Sequence, residues 1–437
     1  MKLLPLLLLA SYTLLPLLGK ADAALAGPVS ASEHASRMAE YRGRAERELR
    51  DNILRFWLTH AVDRERGGFF GEITADLQVR RDAVRGSLLT SRILWTFSAA
   101  YRRFQDPAYR EMARWAHRDL RERFWDPEFG GVYWSATADG KPVQQQKQVY
   151  AQVFALYALS EYHRATRDPE ALDQAVALYR LLEKHARDPL HGGYFEVCTR
   201  AWGREEDPRR SALEPLGKKS QNTHLHVVEA YTSLYRVWPE PELKASQSAL
   251  VEILLTRILD PRTSHLNLFF TADWKPTTES ISFGHDIEAA WLLTEAAEVL
   301  GDAALLSRIR PLAVEIARVT LREGVDADGA LFYEADSQGL TRREKEWWPQ
   351  AEAAVGFLNA YQIAGDPQHL RAAYRVWDFI EERLVDRTHG EWFRAILPEG
   401  KPSDAPKVSL WKCPYHNGRA CLEMMARLES LEQAARP

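Results

Sequence analysis

Asp63-Arg-Glu-Arg-Gly-Gly-Phe-Phe70 is the first copy of a short motif that decides the architecture of this chain. Five further copies, the last three of them looser, begin at Asp126, Asp188, Asp260, Asp326 and Asp386. Successive aspartates are 63, 62, 72, 66 and 60 residues apart. Asp and Gly favour a turn, and the aromatic pair that follows predicts a short strand. Six copies with a period near 60 are too widely spaced for a thin solenoid and indicate a closed ring of six units.

Two helical segments separate each of the first five turns from the next. The periodicity of apolar residues places these pairs at 87–104 and 107–124, 148–164 and 169–186, 221–238 and 241–258, 282–300 and 302–321, and 344–364 and 367–384. The segment 36–60 opens the series and 414–431 closes it. The sequence therefore predicts twelve helices.

The two helices of a pair differ in character. Tyr150-Ala-Gln-Val-Phe-Ala-Leu-Tyr-Ala-Leu159 is apolar on most faces, as a helix inside a ring must be, whereas 108–120 is amphipathic, as an outer helix must be. We predict an all-α fold, an (α/α)6 barrel of six inner and six outer helices with short β-hairpins in the loops. This barrel forms one catalytic domain over residues 36–431. A superhelical stack of helix pairs is the alternative.

The N-terminus has the pattern of a signal peptide over residues 1–23. Lys2 supplies a positive charge, 3–18 is an apolar run too short for a comfortable membrane span, and Ala21-Asp-Ala23 is a small-x-small cleavage site. The mature protein is expected to begin near Ala24, in a periplasm or outside the cell, with no membrane attachment after cleavage.

The composition of the chain limits the classes of partner and cofactor that are expected. The hydrophobic fraction is 46% and the net charge is -4, and no basic stripe interleaved with aromatics is present, which argues against nucleic acid as a partner. The 14 tryptophans could stack on sugar rings or fill a large core. Cys198, Cys413 and Cys421 have no zinc-type spacing and are expected to be free, buried thiols. No Cys/His spacing resembles a zinc site and no Gly-rich dinucleotide or phosphate loop is present, and we expect no metal or other cofactor.

Three stretches place histidine beside polar residues at the start of a predicted helix. They are Asn222-Thr-His-Leu-His226, Gly284-His285-Asp-Ile-Glu288 and Pro414-Tyr-His416-Asn417. Histidine is the side chain best suited to proton transfer near neutral pH. If the inner helices run parallel, these stretches converge on one end of the barrel, where free N–H groups add positive potential.

Further residues near the starts of inner helices belong to the same candidate site. They are Arg92, Tyr150, Trp291, Trp348, Glu352 and, just before the last helix, Trp411. Taken singly, Glu288 and Glu352 could be salt-bridge partners and Trp348 and Trp411 could be core residues. A lone helical histidine is usually structural or exposed, and we interpret His34, His60, His117, His163, His185, His369 and His389 in that way. His224 is expected to face away from His226 as buried structure, while His191 and His265 stay unassigned.

Several ordered blocks of sequence resemble one known family. They are Arg92-Ile-Leu-Trp-Thr-Phe-Ser98, Lys147-Gln-Val-Tyr-Ala-Gln152, Asn222 to Tyr231, Gly284 to Ala289, Lys345-Glu-Trp-Trp-Pro-Gln-Ala-Glu352 and Trp411-Lys-Cys-Pro-Tyr-His-Asn417. Over residues 36–431 the chain resembles the cellobiose 2-epimerase branch of the N-acylglucosamine 2-epimerase family. The resemblance implies an (α/α)6 barrel.

By this resemblance the chain is an isomerase that inverts C2 of the reducing-end glucose or mannose of a β-1,4-linked disaccharide such as cellobiose, mannobiose or lactose. The reaction would pass through ring opening and a cis-enediolate. His285 and His416 match the general acid/base pair, and His226 matches a histidine that assists at the ring and carbonyl oxygens. The matches to sugar-contacting or supporting positions are Arg92, Tyr150, Asn222, Glu288, Trp291, Trp348, Glu352 and Trp411.

These residue types suit the chemistry. Arg92 and the helix ends can stabilise the negative charge of the enediolate, and Glu288 can orient an imidazole. Trp348 and Trp411 can stack on the two sugar rings. The small-molecule disaccharide is the expected partner, and we expect a monomer.

Two features depart from the branch. An exported N-terminus is less usual than a cytoplasmic one, and Phe283 stands where an aromatic hydroxyl is common. The rival functions are an aldose–ketose isomerase or monosaccharide 2-epimerase on the same scaffold, a glycoside hydrolase using Glu288 and Glu352, and a non-catalytic sugar-binding protein. The sequence leaves open the preferred disaccharide, the ratio of epimerisation to isomerisation, and which of His285 and His416 is the base.

Overall fold

A computed structural model describes residues 31–205 and 218–434. The predicted signal peptide, 1–23, lies outside these ranges. No helix among the described residues is both long and apolar enough to cross a bilayer.

Thirteen α-helices lie within the described ranges. In chain order they are α1 (Ala31–Arg47), α2 (Arg55–His60), α3 (Ser87–Phe104), α4 (Pro107–Asp119), α5 (Val149–Thr166), α6 (Pro169–Leu181), α7 (Gln221–Tyr235), α8 (Pro241–Ile253), α9 (Phe283–Leu300), α10 (Ala303–Glu323), α11 (Trp347–Ala364), α12 (Pro367–Phe379) and α13 (Tyr415–Ala434). A π-helical segment, Glu48–Leu54, joins α1 to α2. The twelve predicted helices are therefore all present.

Four outer helices end in a π-helical turn, a wider and rarer form of helix that usually lasts a single turn. These turns are Leu120–Phe124, Leu182–Ala186, Leu254–Ile258 and Ile380–Leu384. Three outer helices, α4, α6 and α12, also begin alike. Each has Pro at its first position, preceded by an aspartate that accepts a hydrogen bond from the first turn.

The helices close into a ring. Helices α3, α5, α7, α9, α11 and α13 contact one another in that order, and α13 returns to contact α3. Outer helices pack on the ring in the pairs α1–α13, α3–α4, α5–α6, α7–α8, α9–α10 and α11–α12. The contact between α13 and α3 confirms the predicted (α/α)6 barrel and excludes the superhelical stack, whose ends would stay apart.

Short strands join neighbouring units at one end of this barrel. In chain order they are β1 (Arg85–Gly86), β2 (Ser135–Ala136), β3 (Pro142–Gln144), β4 (Lys147–Gln148), β5 (Val197–Cys198), β6 (Lys219–Ser220), β7 (Phe269–Phe270), β8 (Ile281–Ser282), β9 (Glu334–Asp336), β10 (Gly339–Arg342), β11 (Lys345–Glu346) and β12 (Ala395–Ile396). The strand before each inner helix pairs antiparallel with a strand from the next unit, in the pairs β1–β2, β4–β5, β6–β7, β8–β9 and β11–β12. A bridge between Ile73 and Val408 closes the circle.

The signature aspartates fix these strands to the turns. Asp126 Oδ1 accepts from the turn amide of Glu128 at 3.0 Å, and its Oδ2 lies 2.9 Å from the Lys147 ammonium, immediately before α5. The same pairing recurs in four other units as Asp63–Arg85, Asp188–Lys219, Asp326–Lys345 and Asp386–Lys407. These ion pairs hold the start of an inner helix against the turn of the unit before it.

The motif requires glycine for a steric reason. Gly131 has φ +72°, and a Cβ atom there would lie 2.6 Å from Gln152 Oε1 on α5. Gln152 uses that close approach to exchange two 2.7 Å hydrogen bonds with the backbone of Val132. The turn thus packs directly on the first turns of the inner helix, which leaves the ring interior at this end open for the site.

Candidate active site

A cavity of about 240 Å³ opens where the inner helices begin. Its lining contains every predicted site residue except Trp291 and Glu352. The lining residues are Arg92, Tyr150, Asn222, His226, His285, Glu288, Tyr333, Glu346, Trp347, Trp348, Arg394, Trp411 and His416. The three histidine stretches do meet at one end of the barrel.

The sixfold repeat explains how residues so far apart in sequence meet. In four of the inner helices the second residue lines the cavity. These residues are Tyr150, Asn222, Trp348 and His416. The sixth residue lies one turn deeper, and these residues are Arg92, His226, Glu288 and Glu352. Because consecutive inner helices are held at the same height by their strands, equivalent positions form two layers around one axis.

A buried carboxylate supports His416. The Nδ1 atom of His416 lies 2.7 Å from Glu352 Oε1, and the other oxygen of Glu352 accepts from Trp291 Nε1 at 3.1 Å. Burial, with the positive charges of Arg92 and Arg419, holds the pKa of His416 well below its usual range. With Nδ1 donating to Glu352, the Nε2 lone pair of a neutral ring is left to accept a proton.

His226 is supported in the same way. Its Nδ1 lies 2.8 Å from Glu229 Oε2, one helical turn along α7. Burial lowers the pKa of His226. Burial alone would raise the pKa of Glu229, but Arg419 and His226 together lower it to about 2. An ionised carboxylate therefore faces a neutral imidazole at this position.

His285 differs from the other two histidines. Its Nδ1 is buried and has no hydrogen-bond partner among the described residues. Burial is the main cause that lowers the pKa of His285 to about 3, with a smaller effect from protonation of the nearby His226. The Trp348 ring centroid lies 4.6 Å from that of His285 and 5.6 Å from that of His416. Trp348 thus contacts both predicted acid/base residues at the cavity wall.

Arg92 places a positive charge in the cavity wall. It donates to Tyr150 Oη at 2.8 Å and to the Trp411 carbonyl at 3.4 Å. Its side chain is buried, yet no carboxylate forms a salt bridge with it among the described residues, and its Nε lacks a partner there. An uncompensated buried cation is suited to stabilising negative charge that develops on a bound molecule.

One predicted role differs from the contacts in the structure, and two predicted site residues lie outside the cavity lining. Glu288 was expected to orient an imidazole, but its Oε1 accepts from Arg419 at 2.6 Å, and the histidines are oriented by Glu229 and Glu352 instead. Glu352 and Trp291 are predicted to occupy sugar-contacting or supporting positions. Both are 1% exposed and lie behind His416, so they support that residue and do not line the cavity.

The sequence reasoning missed two groups of residues. Glu229 and Arg419 follow His226 and His416 by three positions, a helical spacing that could have identified them. Tyr333, Glu346, Trp347 and Arg394 line the cavity near β9, β11 and β12. The register of short strands brings most of these into place, and the helical pattern of the sequence carries little sign of it.

Two other histidines and the three cysteines have structural explanations. His224 Nδ1 lies 2.6 Å from the Ser220 carbonyl and its Nε2 accepts from the Tyr194 amide at 2.9 Å, which confirms the predicted structural role away from the cavity. His265 lies between Asp286 and Glu323 at 2.7 and 3.0 Å. The prediction of free, buried cysteines is confirmed for Cys198, Cys413 and Cys421.

One cluster of buried side chains has the residue types of a metal centre. It consists of Glu288, Glu352 and His416, and one potential ligand atom from each lies within 4.8 Å of the others. Arg419 Nη2, however, lies 2.6 Å from Glu288 Oε1 and 2.7 Å from Glu352 Oε1. A divalent cation would have to displace that guanidinium or lie beside it. This donor set therefore fits an arginine-centred charge cluster better than a metal site.

The comparisons with known proteins agree with this architecture. The sequence profile of N-acylglucosamine 2-epimerase (GlcNAc 2-epimerase) matches residues 68–419. A cellobiose 2-epimerase of Bacteroides fragilis is 46% identical over 382 residues, covering 87% of this chain and 97% of that protein. The solved cellobiose 2-epimerase from Bacillus thermoamylovorans B4167 has a TM-score of 0.85 at 38% identity, covering 89% of this chain and 100% of that one. The one from Spirochaeta thermophila DSM 6192 has a TM-score of 0.83 at 43% identity, covering 91% and 98%.

Fold, site and relatives together define a carbohydrate epimerase, an isomerase built on an (α/α)6 barrel. The chain belongs to the N-acylglucosamine 2-epimerase family. Its predicted likeness to the cellobiose 2-epimerase branch is confirmed.

Proposed function

We propose that this enzyme inverts C2 of the reducing-end glucose or mannose of β-1,4-linked disaccharides, with cellobiose, mannobiose and lactose as candidate substrates. The observation that carries the proposal is that His285 and His416, on different inner helices, both contact Trp348 at the wall of one cavity. The names of the 46% and 38% identical relatives support a disaccharide as substrate.

In the proposed mechanism the sugar ring first opens to expose an aldehyde, with His226 assisting at the ring and carbonyl oxygens. One of His285 and His416 then removes the C2 proton, and the electron pair of the broken C–H bond moves onto the C1 oxygen to give a cis-enediolate. The other histidine returns a proton to the opposite face of C2. Both rings are neutral at rest, which suits the base. The anionic intermediate favours uptake of a proton from water by the second imidazole, which then acts as the acid, and the first histidine afterwards releases its proton to water.

The enediolate needs electrostatic stabilisation, because a C2 proton beside an aldehyde is only weakly acidic. The buried Arg92 guanidinium and the N-terminal ends of the inner helices supply positive potential at the cavity. These steps call for no metal or cofactor, so metal independence is part of the proposal.

A second sugar ring has an aromatic surface available beside the cavity. Trp411 lines the cavity, and its ring centroid lies 5.7 Å from that of Trp134 and 6.2 Å from that of Tyr150. Aromatic faces contact the C–H faces of sugars favourably. This surface supports a disaccharide over a free monosaccharide.

The hydrolase alternative is disfavoured by the carboxylates. A glycosidase needs two carboxyl groups that flank the scissile bond. Glu288 and Glu352 both accept from one nitrogen of Arg419, and Glu352 does not line the cavity. The isomerase alternative shares the enediolate and differs in the carbon to which the proton returns, so it is separated by product analysis.

We also propose that the enzyme is exported and works as a monomer, in a periplasm or outside the cell. The N-terminal pattern of Lys2, the apolar run 3–18 and Ala21-Asp-Ala23 supports export. N-terminal sequencing of the protein recovered from outside the cytoplasm would show a start near Ala24. Recovery of an intact N-terminus from the cytoplasm alone would contradict export.

The test of the activity is incubation of the purified enzyme with cellobiose, mannobiose, lactose and free mannose in deuterated water, followed by NMR of the products. Deuterium at C2 of a 2-epimer of the disaccharide supports the proposal. Ketose alone would mean an isomerase, released monosaccharide would mean a hydrolase, and binding without turnover would mean a sugar-binding protein.

A further inference from the structure

A single buried arginine connects the carboxylates behind the proposed catalytic histidines. Arg419, on α13, is 2% exposed and directs its guanidinium toward the ring axis. Its Nη1 contacts Glu229 Oε1, and its Nη2 lies 2.6 Å from Glu288 Oε1 and 2.7 Å from Glu352 Oε1. The three carboxylates come from α7, α9 and α11, so one side chain joins four of the six inner helices.

Two of these carboxylates each hold a histidine. Glu229 Oε2 lies 2.8 Å from His226 Nδ1, and Glu352 Oε1 lies 2.7 Å from His416 Nδ1. An ionised carboxylate is an acceptor only, so it selects the tautomer in which Nδ1 carries the hydrogen and Nε2 carries the lone pair. The position and charge of the carboxylate therefore decide which nitrogen of each ring can act as a base.

We propose that Arg419 is the positioning residue of this site: its guanidinium fork holds Glu229 and Glu352 ionised and in place, and thereby sets the Nδ1–H tautomer of both His226 and His416. This inference rests on the proposed function, since it assigns a role within the same reaction. Arg419 does not line the cavity, so it acts through the two carboxylates and does not touch the substrate.

The charge balance supports the assignment. Three buried carboxyl groups share one guanidinium, and an excess of buried negative charge is costly, so at least one carboxyl group stays protonated. Glu288 is that group, because its Oε2 has no partner among the described residues while Glu229 and Glu352 each face an imidazole N–H. Burial raises the pKa of Glu352 as well, against the lowering effect of Arg419 and of the hydrogen bond from Trp291. The pKa of Glu288 is raised well above its usual range by burial and by the nearby Glu352, in agreement with this division.

The geometry of the fork is the feature that a lysine cannot reproduce. A guanidinium presents donors in two directions at fixed separation, whereas an ammonium is a single point charge on a flexible stem. Arg419→Lys keeps the charge that the buried carboxylates need for folding. It loses the simultaneous contact with Glu229 on one side and with Glu288 and Glu352 on the other.

The matched control is Arg85→Lys. Arg85 is also 2% exposed and pairs with a buried carboxylate, Asp63, but it belongs to the turn–helix clamp. Lysine already occupies the equivalent place in other units, at Lys147, Lys219, Lys345 and Lys407. The control therefore makes the same chemical change at a place where the fold accepts it.

The experiment compares the two variants with the wild type by disaccharide epimerisation kinetics and by ¹⁵N NMR of enzyme labelled at histidine. Signals of His226 and His416 are assigned from single His→Gln variants. We expect Arg419→Lys to lower kcat by about 10- to 100-fold with little change in KM, as is typical when a partner behind a functional ligand is lost. The ¹⁵N shifts of His226 and His416 should leave the Nδ1–H pattern, and the acidic limb of the kcat–pH profile should move to higher pH. Arg85→Lys should match the wild type in its kinetic constants, in the ¹⁵N shifts of His226 and His416, and in its kcat–pH profile.

Wild-type kcat in Arg419→Lys, or unchanged tautomers of both histidines in that variant, would overturn the inference. The NMR measurement separates this failure from failure of the proposed function. A wild type that shows the Nδ1–H pattern, loses it in Arg419→Lys and yet epimerises no disaccharide would sink the proposed function while the positioning role of Arg419 stands.

Discussion

The Nδ1 atom of His416 lies 2.7 Å from Glu352 Oε1, across the interface between α13 and α11. The carboxylate fixes both the orientation and the tautomer of the imidazole that lines the cavity. The same arrangement links His226 to Glu229 within α7, whereas His285 has no such partner among the described residues. Two of the three histidines are thus held by carboxylates, and the third is held by packing against Trp348.

Replacing Glu352 with Gln tests this support. The amide has nearly the same shape but can present N–H where an acceptor is required, so the Nδ1–H tautomer of His416 loses its preference. We expect kcat to fall by about 10²- to 10⁴-fold, the range known for loss of a carboxylate that orients a catalytic histidine or of general acid/base catalysis itself. KM for the disaccharide should change little, because Glu352 does not line the cavity. Steady-state kinetics measures both constants, and an unchanged kcat would argue that the contact is only structural.

The acid/base pair is tested by His285→Ala and His416→Ala. Each should lower kcat by about 10²- to 10⁴-fold, because one of the two proton transfers at C2 loses its catalyst. Circular dichroism should show that both variants keep the helical fold. His60→Ala is the control, because His60 is partly exposed and lies outside the cavity. Near-wild-type turnover in either site variant would contradict the two-histidine assignment.

Much of the fold could be predicted because each unit repeats the same local pattern. The turn signature at Asp126, the Pro that opens α4 and the apolar face of α5 each have a direct physical cause that is visible in the chain. The ring closure followed from the number of copies. Helix ends were less predictable: α7 stops at Tyr235, three residues before the predicted end, and α10 continues two residues past its predicted end to Glu323.

The candidate site was predictable where residues share a position in the repeat. Tyr150, Asn222, Trp348 and His416 are all second residues of inner helices, so the spacing of the units alone brings them together. The charge network behind them was not predictable in this way. Whether Glu229, Glu288 or Glu352 faces an imidazole depends on the rotation of neighbouring helices about their axes. That rotation, and the contact of all three carboxylates with Arg419, is seen only in the three-dimensional structure.

His265 makes the stability of the protein depend on pH. Burial lowers the pKa of His265, but the contacts with Asp286 and Glu323 outweigh it and raise the pKa to about 8. A folded-state pKa above the unfolded value of about 6.5 means that the folded state binds the proton more tightly, so the stabilisation is complete below about pH 6.5 and is lost as pH rises through about 8. The shift corresponds to about 2 kcal/mol.

The His265→Gln variant isolates this contribution. The difference in melting temperature between wild type and variant should be largest near pH 6 and should shrink above about pH 8. Thermal unfolding followed by circular dichroism across this range measures it. Comparing the two proteins at each pH removes the effect of other groups, such as Glu196, whose pKa burial raises to about 7. A difference that stays constant with pH would show that the pKa of His265 is the same in the folded and the unfolded protein, and would contradict the raised value.

In the second unit the aspartate of the repeat motif binds a buried lysine that lies just before the inner helix. Asp126 is fully buried and pairs with two cations, the fully buried Lys147 at 2.9 Å and the partly exposed Arg200 at 3.0 Å. Asp126→Asn keeps an acceptor for the turn amides but leaves the Lys147 ammonium without its counter-charge. Breaking a buried pair from one side costs about 3–5 kcal/mol in the free energy of unfolding.

Asp260→Asn provides the matched comparison, since Asp260 occupies the same motif position but pairs with Arg262, which is 86% exposed. An exposed pair is worth about 1 kcal/mol or less, so this variant should be close to wild type. Urea unfolding of the two variants and the wild type measures the difference. Equal destabilisation by Asp126→Asn and Asp260→Asn would mean that the aspartates act only within their turns, and that the ion pair to the following inner helix adds nothing to the barrel.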